Sequence, residues 1–358
     1  MPNDTETAPG KDRQPLLRRA AVLGAGTMGS RIAAHLANAG LPVLLLDLAQ
    51  PDGQPSLASR AICALLKAKP AAFYDPTSAA LITPGDFDHD LPQLAACDWI
   101  IEAVAENLAI KQSLLEKIQP HLGPEAIVTT NTSGLSIAAI AEKPPPEFRR
   151  RWFGTHFFNP PRYMRLVEII PTSETDPACA VAVADFADRR LGKTVVFARD
   201  TPNFIANRIG VFSMLTAVRL MQEQNLGIEE VDALTGSVIG WPRTGTFRLA
   251  DMVGIDVLAH VAKNFSESRA TDASSTQLPA FIETLLANGW LGDKSGQGFY
   301  KKDPADPKIR LALDWRTLEY YPAQRPKFTS IEMTKNAPSL GERLRLIFAA
   351  DPKKDKAA

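Results

Sequence analysis

The sequence predicts an α/β fold, a doubly wound and mostly parallel sheet, followed by an all-helical second domain. Three observations carry this expectation. From Arg19 to about Asp200, strand-length apolar runs alternate with segments of helical periodicity. A glycine-rich turn, "GAGTMG", joins the first strand to the first helix. After "RDTP" (199–202) the helical pattern continues to about residue 290 with no convincing strand.

Taken in order, the first strand is Ala20–Leu23, and Met28, Ile32 and Leu36 then recur on one face of a helix that Gly40 closes. "PVLLLD" is a continuous apolar run, as in a strand buried on both faces. Residues 56–73 read as a helix, "DWIIEAV" (98–104) as a strand, 107–122 as a helix and "AIVTTN" (126–131) as a strand. Next come the strands "RWFGTHFF" and "RLVEIIP", an Ala-rich helix over 176–191 and the strand "KTVVFARD". The expected organisation is a polar, disordered arm at 1–18, a nucleotide-binding domain at 19–201, a helical domain at 202–302 and a Pro- and charge-rich tail at 303–358. "LALDWRTLEYY" is the one apolar island in that tail.

Lys+Arg and Asp+Glu are 40 each, so nothing in the charge calls for nucleic acid or a membrane surface. The three cysteines, Cys63, Cys97 and Cys179, are too far apart for a CxxC pair, which fits a reducing, cytoplasmic setting. No apolar run approaches the ~18 residues needed to span a bilayer. The five histidines are too scattered to suggest a metal site.

Gly24-x-Gly26-x-x-Gly29, following a strand and opening a helix, reads as a Rossmann-type dinucleotide turn. The helix start offers N–H groups and positive potential to a pyrophosphate. Asp47 ends the second strand, where a carboxylate accepts from both ribose hydroxyls and repels a 2′-phosphate, favouring NAD. The alternative is an α/β glycine turn that holds another ligand.

His156 stands in "GTHFFNPP" at a strand end, either as a satisfied core residue or as a catalytic base. Glu168, in the apolar strand "RLVEIIP", favours the second reading. A lone carboxylate there is costly, and pairing of the two strands would bring it to the histidine. Asn131 and Ser133 sit at the carboxyl end of the strand 126–131, where such sheets bind ligands. Asn203 and Asn207 share one helix face, and Asn207 is either a buried structural link or a donor aimed at a carbonyl.

Together "VLGAGTMGSRIA", "IIEAVAENLAIK", "TTNTSGLSI", "GTHFFNP", "LVEIIP", "DTPNFIANRI" and "GDKSGQGFY" resemble the L-3-hydroxyacyl-CoA dehydrogenases of fatty-acid β-oxidation, over residues 19–302. The resemblance implies that His156 is the base, Glu168 its partner, and Ser133 and Asn207 hydrogen-bond donors to the substrate. It assigns cofactor contacts to Gly24, Gly26, Thr27, Met28, Gly29, Asp47, Glu106, Lys111, Asn131, Ser133 and Lys294. From the residues alone, Glu106 and Lys111 are either cofactor contacts or the cap and surface charges of a helix start, and the strand "DWIIEAV", which points their loop at the sheet edge of Gly24–Gly29, favours the first. The implied partners are an acyl-CoA substrate and a second copy through the helical domain. The tail resembles the connector to an enoyl-CoA hydratase domain in large bacterial β-oxidation proteins. Thr246 and Arg248 depart from the Pro and Glu of simpler members. The CoA segment does not align cleanly, leaving Lys67 and Lys69 as candidates only by charge. The rival functions are a non-catalytic NAD-binding protein and a dehydrogenase of a hydroxy acid without CoA.

Overall fold

The computed structural model describes residues 17–51, 54–267, 278–351, 355 and 357. The expected arm lies almost wholly outside these. The chain divides into two compact units, Met1–Ile205 and Ala206–Ala358.

The first unit is built on eight strands: β1 (Ala20–Leu23), β2 (Val43–Asp47), β3 (Ile82–Asp86), β4 (Trp99–Glu102), β5 (Ile127–Thr130), β6 (Trp152–Phe157), β7 (Leu166–Pro171) and β8 (Thr194–Phe197). Their spatial order is β3-β2-β1-β4-β5-β6-β7-β8. All neighbours run parallel except β6 and β7. Between and after them run helices α1 (Thr27–Asn38), α2 (Leu57–Leu65), α3 (Leu108–Ile118), α4 (Ile137–Ile140), α5 (Pro146–Arg149) and α6 (Pro177–Arg189).

The apolar runs are explained by burial on both faces. Ala20, Val22, Leu45 and Ile101 pack into one core, and Ala21, Leu23, Leu44 and Ile100 into another. Alternate side chains of a strand point to opposite faces, so a strand inside two layers has no polar face.

Two elements differ from expectation. The helix expected over 56–73 stops at Leu65, because Pro70 ahead removes a donor and disfavours helical backbone before it. The strand β3 carries Pro84 and Gly85, which mask it in sequence; as an edge strand it tolerates a proline.

The second unit contains α7 (Ala206–Glu223), α8 (Ile228–Leu234), α9 (Gly245–Val253), α10 (Ile255–Glu267) and α11 (Ala280–Ala287) around Val218, Met221, Phe247, Leu285 and Phe299. It is not helical throughout. Strands β9 (Tyr300–Lys302), β10 (Arg310–Leu313) and β11 (Tyr320–Pro322) form an antiparallel sheet, followed by α12 (Thr329–Met333) and α13 (Leu340–Phe348). The apolar island of the tail therefore belongs to this core. Leu313 is fully buried, and Trp315 Nε1 donates to the Leu226 carbonyl at 2.9 Å.

Candidate active site

The parallel strands β1, β4, β5 and β6 bring their carboxyl ends to one edge of the sheet. The loops after them carry most of the residues expected to act. Strand order changes direction between β1 and β4, which is where open α/β sheets bind ligands.

The histidine and glutamate are set by antiparallel register, with His156 directly opposite Glu168 in the β6–β7 pair. His156 Nδ1 lies 2.7 Å from Glu168 Oε2, and the two residues are 3% and 0% exposed. A carboxylate only accepts, so Nδ1 is the donor in this contact, and Nε2 is the nitrogen that accepts in the neutral ring. Glu168 Oε1 accepts from the Ile205 N–H at 3.0 Å. Asn203 (φ 61) and Phe204 (φ 48), both in the left-handed region, precede that N–H, so Asn203 is not on the helix face expected to join it to Asn207; α7 starts at Ala206. Two uncommon backbone conformations side by side mark a turn imposed by its surroundings. Phe158 and Phe204 flank the imidazole, with ring centroids 4.4 and 5.7 Å away.

A second buried network underlies the neighbouring loops. Glu102, at the end of β4, takes Lys111 Nζ on both oxygens (2.8 and 2.9 Å), the Thr130 hydroxyl (2.5 Å) and the Val104 N–H (2.7 Å). Lys111 also lies 3.3 Å from Glu106. Glu106 Oε1 in turn accepts from the Thr132 hydroxyl and from the N–H groups of Ser133 and Gly134 (2.6, 2.7 and 3.2 Å). Lys111 is 1% exposed, so it is no surface charge. Asn131 uses its carboxamide oxygen on the Phe157 N–H at 2.9 Å, tying the end of β5 to the strand of His156.

At the glycine turn, each glycine has a separate reason. Gly24 has φ +107, and a Cβ there would meet the Ala103 carbonyl oxygen at 2.6 Å. A Cβ on Gly29 would lie 1.9 Å from the Gly24 oxygen, whereas one on Gly26 would meet nothing within 4 Å. Gly26 caps α1 with no side-chain bond, so the first N–H groups of the helix are open to a ligand. Thr27 is exposed there, and Met28 packs beneath against the core. Asp47 Oδ2 accepts from the Ala25 N–H at 2.5 Å, so the ribose candidate also braces the turn. An uncapped helix start, open space over Gly26 and a carboxylate at the end of β2 suit the pyrophosphate and ribose of NAD.

The two remaining residues lie in the second unit. Asn207 is in the first turn of α7, and Lys294 is ion-paired with Asp256. The "GDKSGQGFY" segment around Lys294 is held by Asp251, whose carboxylate accepts from the Phe299 and Tyr300 N–H groups, both at 2.8 Å. A Cβ on Gly298 would lie 2.1 Å from Asp251 Oδ1, so this glycine is required by packing.

Glu102 is the residue missing from the sequence reading. Its signal was the one that exposes Glu168, a carboxylate in an otherwise apolar strand.

Comparison with known proteins points to one family. The NAD binding domain of 3-hydroxyacyl-CoA dehydrogenase matches residues 19–201, and the C-terminal domain of the same enzyme matches residues 204–302. A probable 3-hydroxyacyl-CoA dehydrogenase of Bacillus subtilis is 41% identical over 94% of this chain, which spans 44% of that protein's length. A probable 3-hydroxyacyl-CoA dehydrogenase of Deinococcus radiodurans is 45% identical over 82% of this chain and 85% of its own. The crystal structure of (S)-3-hydroxybutyryl-CoA dehydrogenase from Ralstonia eutropha superposes with a TM-score of 0.68 at 30% identity, covering 79% of this chain and 98% of that one. With both domains matched in order, this chain belongs to the NAD-dependent 3-hydroxyacyl-CoA dehydrogenase family.

Proposed function

We propose that this chain oxidises (S)-3-hydroxyacyl-CoA to 3-ketoacyl-CoA in fatty-acid β-oxidation, with the His156–Glu168 pair as general base. The 2.7 Å contact between these buried side chains carries the reading. Nε2 takes the proton from the C3 hydroxyl, and Glu168, held by Ile205, orients the ring and stabilises the imidazolium that forms. Bound NAD supplies the hydride acceptor. Ser133, in a loop fixed by Glu106, would donate to the reacting oxygen, and Asn207 would take the same role. Glu106 and Lys111 would line the nicotinamide half, with Asn131 beside them, and Lys294 would be a further cofactor contact.

The apolar side chains Ile209 and Phe212 on α7 are each 61% exposed, and Met252 on α9 is 55% exposed. Such a face supports a homodimer through the second unit. Three free cysteines support a cytoplasmic location. An enoyl-CoA hydratase, as a domain or a partner, would supply the 3-hydroxyacyl substrate.

The test is NADH formation from 3-hydroxyacyl-CoA thioesters of graded length, set against their pantetheine analogues. Turnover should be lost with His156→Gln by about 10²–10⁴-fold, the usual share of positioned proton transfer, while NAD affinity is kept. An unchanged kcat in this variant would remove His156 from the mechanism. Equal kcat/KM for the trimmed substrates would remove CoA from the specificity.

A further inference from the structure

The second unit carries an open cleft of about 510 Å³ that the dehydrogenase reading leaves unused. It is formed by the turn after α8, Arg243, and the segments around α12 and α13. Its volume is that of a small-molecule site.

Four lining side chains are cationic: Arg243, Arg325, Lys335 and Arg343. Among the described lining residues Glu332 is the one carboxylate; it is ion-paired with Lys335, and the charge of Arg325 also acts on it. Arg343 donates to the Ser237 carbonyl at 2.7 Å, which fixes its guanidinium on the wall. Among the described residues, neither Arg243 nor Arg325 has an ion pair or hydrogen bond. In a chain with no net charge, this is a local excess of positive charge facing a concave space. Gathering like charges is unfavourable without an anion between them, and a cleft focuses their field. Guanidinium groups present paired donors that match phosphate oxygens. Val238 and Ile331 add an apolar wall beside them.

We propose that this cleft binds a small polyphosphate ester, its phosphates on Arg243, Arg325 and Arg343 and its organic part against Val238 and Ile331. The site is independent of the proposed reaction, and its test uses no turnover. The full chain, saturated with NAD to fill the glycine turn, is titrated calorimetrically with inorganic pyrophosphate and with ADP. One saturable, salt-sensitive event per chain is expected for each probe, with ADP the tighter. The double substitution Arg243→Gln/Arg325→Gln should weaken both by about tenfold or more, through loss of charge-assisted contacts. Neither arginine braces the fold, so an unchanged melting temperature should accompany that loss. Absence of saturable binding overturns the proposal, as does an equal Kd in the double variant. Equal affinity for the two probes overturns the assignment of the organic part.

Discussion

In the first unit, the buried carboxylates Glu102 and Glu168 each meet a side-chain nitrogen, Lys111 Nζ in one case and His156 Nδ1 in the other. In the second unit, Asp232 and Asp251 are held by backbone N–H groups and, for Asp232, by the Tyr300 hydroxyl. Burial pushes Asp232 up to about 6 and Asp251 up to about 7, with these hydrogen bonds offsetting only part of the desolvation. The contrast separates two uses of a buried acid. Backbone donors make it a clasp for a loop, here "GDKSGQGFY". A nitrogen side chain makes it half of a buried pair that ties one element of the sheet layer to another.

The largest expected effect breaks the first kind of pair. Glu102→Gln leaves the Lys111 ammonium buried, with the partly exposed Glu106 as its nearest charge, and should cost about 3–5 kcal/mol in denaturant unfolding. Adding Lys111→Met should recover most of that loss. A cost below about 1 kcal/mol for the single change would place Glu102 among the mere clasps.

Two glycines sharpen the comparison next. Gly298→Ala drives a methyl group onto the Asp251 carboxylate and should lower stability by about 1–3 kcal/mol, as overpacking does. Gly26→Ala has space for its methyl group in the folded chain, so the melting temperature should hold while the KM for NAD rises. Thermal melts and NAD titrations of both variants check this. A Gly26 variant that melts early with normal NAD affinity would reverse the assignment.

The smallest effect is a difference in pH dependence. Asp232 and Asp251 have raised folded values, so the folded second unit holds more protons than the unfolded chain. Their contribution is present below about pH 4 and is lost as pH rises to about 7. In the first unit, burial beside Lys193 lowers His35 to about 3. That contribution is full above about pH 6.5 and is lost as pH falls toward 3. Hydrogen exchange of the Phe299 amide should therefore quicken between pH 4 and 7, beyond its intrinsic rise, and Asp251→Asn should remove much of that slope. The Val22 amide should show the opposite trend. Parallel trends in the two units would end the distinction.

Much of the first unit was legible because its signals are local. A glycine spacing, a helix stripe of Met28, Ile32 and Leu36, and strands with no polar face each lie within a few residues. Glu168 was legible for a related reason, since a charge in an apolar strand demands a partner. Strand β3 was hidden by Pro84 and Gly85, residues that oppose strand formation everywhere but at an edge. The sheet β9-β10-β11 was hidden because its strands are short and depend on one another. The burial of Lys111 was hidden because a helix-start lysine looks the same whether it meets water or Glu102.

The sequence by itself determined the parallel sheet, the dinucleotide turn and the candidacy of a histidine and a glutamate on neighbouring strands. These follow from side-chain period and turn chemistry, which act over short stretches of chain. Only the tertiary structure decided that Nδ1 faces Oε2, that the Ile205 amide holds the other oxygen, that Lys111 lies inside, and that the tail completes the second core. Those partners are remote in sequence, and strand register and close packing choose among them.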